Sequence, residues 1–267
     1  MEKKDDWRGA VRFVATDMDG TLLDSEKRVP SDFRNWVESH PNIKTAIASG
    51  RQYYALERDF SDLKEELIFI AENGSAVYEK GKLLYFNQMK EEDILTSLAL
   101  ISSIEEATAI LCGVDSAYMI NPGEEEKREA GRYYARLSYI SDFASVMKTD
   151  RIIKIAVYFR NQSAERHYPE FKALPSSVKT VLSGKSWVDI ASFDADKGVG
   201  IKEIQKRFSI TREESMAFGD YLNDIGMLKA VKYSVAMENA HPQVKAVCTM
   251  ETSNNDDDGV MRILRQL

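Results

Sequence analysis

The run Val11-Arg12-Phe13-Val14-Ala15-Thr16-Asp17-Met18-Asp19-Gly20-Thr21 decides the fold class. It opens as a short β-rich segment, largely apolar, and stops at a carboxylate. A strand without a polar face suits a parallel sheet covered on both sides. Its last residue then lies on the carboxyl edge, where open α/β sheets bind ligands. Asp19, two residues on, can point back to the same side, and Gly20 permits a sharp turn. Two carboxylates this close repel unless a cation lies beside them. A capped turn rich in Asp and Gly accounts for Asp19-Gly20, but not for Asp17 at the end of an apolar strand.

Working outward, apolar runs at 43–48 and 67–71 alternate with helix-like stretches at 31–39 and 52–63. That alternation predicts βαβ units and a parallel sheet. The middle changes character. Residues 75–87 read as a hairpin around Lys80-Gly81, and helical periodicity follows over 91–106. Apolar runs at 109–114, 152–159 and 178–181 are then separated by helix-like 124–137 and 164–174. From Trp187 the βα alternation resumes, with helices over 197–208 and 222–231 and strands over 215–218 and 233–237. The expected architecture is α/β: a Rossmann-like parallel-sheet core, residues 1–85 and 187–267, with an inserted α/β cap domain, residues 86–186.

A second acidic strand end is Gly219-Asp220-Tyr221-Leu222-Asn223-Asp224, which follows an apolar run and opens a helix. Asn and Asp are common as plain helix caps. Two acidic strand ends on one sheet edge are better explained by a hard divalent cation. Oxygen donors without a His or Cys cluster favour Mg²⁺ over zinc. Ser49-Gly50-Arg51 follows the strand at 43–48 and offers a hydroxyl and an N–H to a phosphate oxygen. Asp196-Lys197-Gly198 opens a helix, from whose start Lys197 can reach a phosphate.

Taken in order, DMDGT, SGR, DKG and GDYLND resemble the four motifs of the haloacid-dehalogenase superfamily. Ala71-Glu72-Asn73-Gly74, 235–240 and Asp258-Gly259-Val260 are similar to its Cof-type branch, which carries a large α/β cap. Glu238 departs from that pattern, which usually has Gly there. The resemblance implies a phosphatase in which Asp17 attacks phosphorus and Asp19 serves as general acid and then base. It implies a Mg²⁺ held by Asp17, the Asp19 carbonyl and Asp220. It also implies that Met18, Ser49, Gly50, Lys197 and Asn223 hold the phosphoryl oxygens, with Thr21, Arg51 and Asp224 supporting. The implied substrates are small phosphorylated metabolites such as sugar phosphates. A phosphotransferase or mutase of the same superfamily, and a catalytically idle binding or regulatory protein, remain open alternatives.

The formal net charge of −7 over 267 residues argues against nucleic acid or an anionic membrane as partner. Cys112 and Cys248 stand in no motif and read as reduced, buried residues. The start MEKKDDWRGA has no apolar core of a signal peptide, and no apolar run approaches the ~20 residues of a membrane span. A cytoplasmic location is expected; oligomeric state is open. Asn254 to Gly259 reads as a solvated loop capping the last helix. Arg128, Arg132 and Arg136 read as a solvated ion-pair face of one helix. Tyr133, Tyr134 and Tyr139 read as cap packing, and the three histidines are assigned no chemistry.

Overall fold

The computed structural model describes residues 7–267; the charged start of the chain, up to residue 6, lies outside them. In chain order the strands are β1 (Phe13–Asp17), β2 (Lys44–Ala48), β3 (Leu67–Ala71), β4 (Ala76–Glu79), β5 (Lys82–Phe86), β6 (Ala107–Gly113), β7 (Ala117–Ile120), β8 (Leu137–Ile140), β9 (Ile152–Phe159), β10 (Val178–Gly184), β11 (Trp187–Ser192), β12 (Ser215–Gly219), β13 (Tyr233–Ala236) and β14 (Met250–Glu251). The chain divides into two compact units. One comprises residues up to Tyr53, Asp59–Tyr85 and Asp196–Leu267; the other comprises Tyr54–Arg58 and Phe86–Ala195.

The first unit carries an eight-stranded sheet in the order β14-β13-β12-β1-β2-β3-β4-β5. β1 is parallel to both β2 and β12, β2 to β3, β12 to β13, and β13 to β14, while β4 turns back antiparallel on β3. Every residue of β1, β3, β12 and β13 is buried, which only a sheet covered on both faces allows. Phe13, Phe69 and Phe218 are almost wholly removed from water, each contributing roughly 1.5–3 kcal/mol. Because β2, β1 and β12 are adjacent and parallel, their carboxyl ends bring Ser49, Asp17 and Asp220 to one edge.

The second unit carries a six-stranded sheet, β10-β11-β9-β6-β7-β8, antiparallel except for β7 with β8. Side chains alternate with period two. Leu111, Ile155 and Val157 face a cluster with Ile94, Ile101, Val146 and Ala164 from helices. Ile110, Cys112 and Ala156 face Ala130 and Tyr134 on the opposite side.

Several boundaries differ from the sequence reading. Trp187–Ser192 is not the return to the core. It is a strand of the six-stranded sheet, paired with both β9 and β10, so the second unit runs to Ala195. The helix expected over 124–137 stops at Tyr133, and Leu137–Ile140 pairs with β7 instead. Arg136 therefore leaves the helix face; its guanidinium lies 3.8 Å from the Tyr54 ring. The helix expected over 164–174 splits into Ala164–His167 and a 3-10 segment, Tyr168–Ala173, where Pro169 supplies no N–H. Residues 222–231 likewise divide into a 3-10 turn, Leu222–Asp224, and the helix Ile225–Lys229. The acidic run at 254–259 is anchored as well as solvated. Asp256 accepts the Ser25 N–H and hydroxyl, and Asn255 donates to the Leu23 carbonyl. Cys112 is buried and Cys248 half-buried, both as free thiols.

Candidate active site

Asp17 ends β1 and is almost buried. Lys197 opens the helix Lys197–Phe208, held in register by Asp196, whose carboxylate accepts the Gly198 N–H at 2.7 Å. The Lys197 side chain is completely buried and divides its ammonium between two carboxylates. Nζ donates to Asp17 Oδ1 at 2.6 Å and to Asp224 Oδ1 at 2.7 Å. Asp224 Oδ2 in turn accepts the backbone N–H groups of Asp220 and Tyr221 at 3.0 and 3.1 Å. The turn after β12 thus fixes Asp224 from one side and Lys197 from the other.

Asp220 is half-buried, and its Oδ1 accepts the Thr21 hydroxyl at 2.8 Å. Oxygens of Asp17, Asp220 and Asp224 all lie within 4.8 Å of one another. One ammonium facing three carboxylates leaves the cluster net negative. Burial first, and Asp224 next, push the Asp17 carboxyl up to about 7 although Lys197 opposes them. Burial raises Asp220 as well. Burial works against the charged form of Lys197, but Asp17 and Asp224 outweigh it and hold the ammonium above its ordinary value. These directions agree once charge is counted: the lysine is secure, and the carboxylates remain short of positive charge. Hard oxygen donors with a charge deficit suit Mg²⁺. Gly20, at φ +87°, keeps the approach open, since a Cβ there would lie 2.6 Å from Asp220 Oδ2. Asn239 donates to the Gly20 carbonyl at 2.8 Å and braces that turn.

Asp19 turns away from this cluster and is partly exposed. Arg51 grips it with Nη2 at 2.8 and 2.9 Å and Nε at 3.2 Å, and Lys27 Nζ reaches Oδ1 at 2.8 Å. Burial would raise its carboxyl, but Lys27 and Arg51 together hold it below the usual value. Arg51 is itself braced by Asp59 at 3.0 Å. Lys27 stands at φ 65° in a turn built by Asp24, which accepts the N–H groups of Glu26 and Arg28.

Ser49 is buried just beyond β2; its N–H donates to Ile70 and its hydroxyl accepts the Arg51 N–H at 3.2 Å. Gly50 lies against Asn73, whose Oδ1 accepts Asn223 Nδ2 at 3.1 Å. Met18 is buried, with its carbonyl accepting the Leu23 N–H at 2.9 Å. Asp17, Met18, Ser49, Gly50, Lys197, Asn223, Asp220 and Asp224 therefore stand at strand ends, helix starts and turns of one sheet edge. Asp19 and Arg51 extend the same surface of this unit, and Thr21 lies buried beneath it against Asp220. Asn73, Asp196 and Asn239 lie in stretches that the sequence analysis quotes but gives no role, and Lys27 was not singled out at all. Asn73 lies two residues beyond the end of β3, which was a usable signal; Lys27 offered none.

A family model of the haloacid dehalogenase-like hydrolases matches residues 14–264. The chain belongs to that family and is accordingly a hydrolytic enzyme. Among its relatives is 5-amino-6-(5-phospho-D-ribitylamino)uracil phosphatase YbjI of Escherichia coli K12, 29% identical over 96% of this chain and 95% of that protein. Phosphatase YwpJ of Bacillus subtilis 168 is 24% identical over 96% of this chain and 100% of its own length. The crystal structure of SMU.1108c from Streptococcus mutans UA159 superposes with a TM-score of 0.81 at 28% identity, covering 96% of this chain and 98% of that one. Among the described residues, no helix is long and apolar enough to cross a membrane.

Proposed function

We propose that this chain is a Mg²⁺-dependent phosphatase that hydrolyses small phosphorylated metabolites, sugar and polyol phosphates foremost, through a phosphoryl group carried on Asp17. The observation that carries this reading is the buried ammonium of Lys197 between Asp17 and Asp224, with Asp220 beside them at the carboxyl edge of a parallel sheet. Lys197 holds Oδ1 of Asp17, so Oδ2 is the attacking atom. The Asp17 Oδ2–phosphorus bond forms as the ester bond breaks, and Asp19 protonates the departing oxygen. Asp19 then takes a proton from water, which attacks phosphorus and releases Asp17 and inorganic phosphate. In the resting chain Lys27 and Arg51 keep Asp19 as the carboxylate, the form that serves the second step; the donor form needs one of these cations to let go.

Asp17, Asp220 and the Asp19 carbonyl would hold Mg²⁺, with Asp224 completing the carboxylate cluster. When bound, the ion supplies charge neutralisation between an anionic nucleophile and an anionic phosphate. Ser49, Gly50, the Met18 N–H, Asn223 and Lys197 hold the phosphoryl oxygens, because phosphoryl transfer depends mainly on positioning and electrostatics. The relatives named for a ribityl phosphate support a small polyol or sugar phosphate as substrate. Selectivity among such esters is assigned to the insert, since the motif residues all belong to the other unit.

The test is phosphate release from an aryl phosphate and a panel of sugar and polyol phosphates, with Mg²⁺ and with chelator. Release without an added acceptor supports hydrolysis over transfer to a second hydroxyl. No turnover of any ester would leave a binding protein and overturn the reading.

A further inference from the structure

The turn Ala71–Ser75 has a geometry that a simple strand connection does not need. Three successive residues, Glu72, Asn73 and Gly74, have φ of 49°, 53° and 91°. For non-glycine residues that conformation is disfavoured, by about 1 kcal/mol or more each, and such strain persists only where the surroundings impose it. Here the surroundings are the motif loops. The Asn73 N–H donates to the Ser49 carbonyl at 2.9 Å, and the Glu72 N–H to the Arg51 carbonyl at 3.1 Å. A Cβ on Gly74 would lie 2.1 Å from the Asp196 carbonyl oxygen and 2.7 Å from the Lys197 nitrogen. The turn is thus pressed at once against the loop after β2 and the start of the Lys197 helix. Its third contact is the side-chain hydrogen bond from Asn223 Nδ2 to Asn73 Oδ1, joining loops 150 residues apart.

We infer that Asn73 is a positioning residue, aiming the Asn223 amide at the phosphoryl oxygens and fixing Asn223 relative to Ser49-Gly50. This rests on the reading of the site as a phosphate site given above. An amide nitrogen carries two N–H donors. Asn73 takes one of those of Asn223 and leaves the other aimed by the fixed plane of the amide. Asn223 is exposed and stands in a short 3-10 turn, so without that bond its side chain is one of several rotamers. The Asn73 amide lies just over Gly50, where a Cβ would come within 3.0 Å of Nδ2. A larger residue at position 50 would displace it, and this ties Gly50 to the same clamp. Asn is well suited to position 73 because it tolerates the left-handed conformation and carries the acceptor.

The informative variant is Asn73→Gly. Glycine adopts φ near 53° without strain, so the substitution deletes the amide and spares the turn, and the N–H to Ser49 stays. Loss of one neutral hydrogen bond predicts a rise of about three- to tenfold in KM for aryl phosphate and in the inhibition constant of inorganic phosphate. The melting temperature and the Mg²⁺ affinity stay close to those of the parent. In the Asn223→Ala background the same substitution has no further effect on either constant, because the group it aims is gone. Unchanged constants in Asn73→Gly, or an undiminished effect in the Asn223→Ala background, overturn the inference while phosphatase activity of the parent stands. Should Asn73→Gly fold poorly, Asn73→Asp keeps Oδ1 as acceptor and adds negative charge beside the phosphate. Its effect on the phosphate constant must then depend on Asn223, and a change of equal size in the Asn223→Ala background refutes the role. A parent chain with neither ester turnover nor phosphate inhibition would bring down the phosphate-site reading itself, and the inference with it.

Discussion

Replacing Lys197 by Met tests the electrostatic centre of the site. The change keeps much of the buried volume and removes the ammonium, so little cavity opens and the effect is mostly charge. Two charge-assisted hydrogen bonds at 2.6 and 2.7 Å are lost, each worth about 1.5–3 kcal/mol net. Removing one partner from a buried ion pair costs about 3–5 kcal/mol. At about 2–4 °C per kcal/mol for a chain of this size, the metal-free variant should melt roughly 6–20 °C below the parent. The loss depends on pH. Asp17 titrates near 3.8 in the unfolded chain and is pushed up to about 7 in the folded one, by burial first and Asp224 second. A carboxyl raised by folding lowers stability as pH climbs above its unfolded value, and the penalty is complete once pH passes the folded value. Without Lys197 the opposing cation is gone and that folded value climbs further. The deficit should therefore be smaller near pH 5, where both folded chains keep the Asp17 carboxyl protonated, and larger near pH 8.5. Scanning calorimetry in chelator at both pH values measures it. A variant melting within about 2 °C of the parent at pH 8.5, or a deficit larger at pH 5, would refute the charge balance derived for this cluster.

Gly20→Ala puts a Cβ where Asp220 Oδ2 stands, 2.6 Å away, at a φ of +87°; Mg²⁺ binding measured by calorimetry should weaken by at least about tenfold, through lost ligand geometry, and an unchanged affinity would count against this approach to the metal. Because a proton competes with the cation on Asp17, Mg²⁺ affinity should rise by up to about tenfold per pH unit up to about pH 7 and then level off; a flat profile from pH 5.5 to 8 would contradict the raised carboxyl. Exchanging residues 86–195 for the insert of a relative should reorder kcat/KM across a panel of sugar and polyol phosphates while Mg²⁺ affinity stays put, and an unaltered ranking would place selectivity in the other unit.

Much of the site was legible because its residues lie where backbone pattern is strongest. Asp17 closes and Asp220 directly follows a fully buried strand, and Lys197 opens a twelve-residue helix whose bounds the periodicity predicts. A strand end is one of the few places where sequence position alone implies a direction in space. What was not legible depends on side chains meeting across long stretches of chain. The grip of Lys27 on Asp19 needs a left-handed residue in an Asp24-built turn, and the Asn73–Asn223 bond needs two loops brought together by β3 and β12. In the second unit the misreadings have local causes. β7 and β8 have only four residues each and carry polar or exposed positions, so their alternation is too brief to compete with the helical pattern that runs into Arg136. Trp187 looked like a return to the core because an apolar strand follows it. Its pairing with β9 and β10 is set by partners that no local signal names.

The proposed hydrolysis stands or falls on Asp17 carrying the phosphoryl group between substrate and water. Rapid acid quench of the Mg²⁺-loaded enzyme during turnover, followed by peptide mass spectrometry, tests it most directly. A phosphoryl group is expected on the peptide containing Asp17, appearing and decaying with turnover, and absent from Asp17→Asn, whose activity falls by several powers of ten. Steady release of phosphate with no phosphorylated Asp17 at any time, or with the group on another residue, would contradict it.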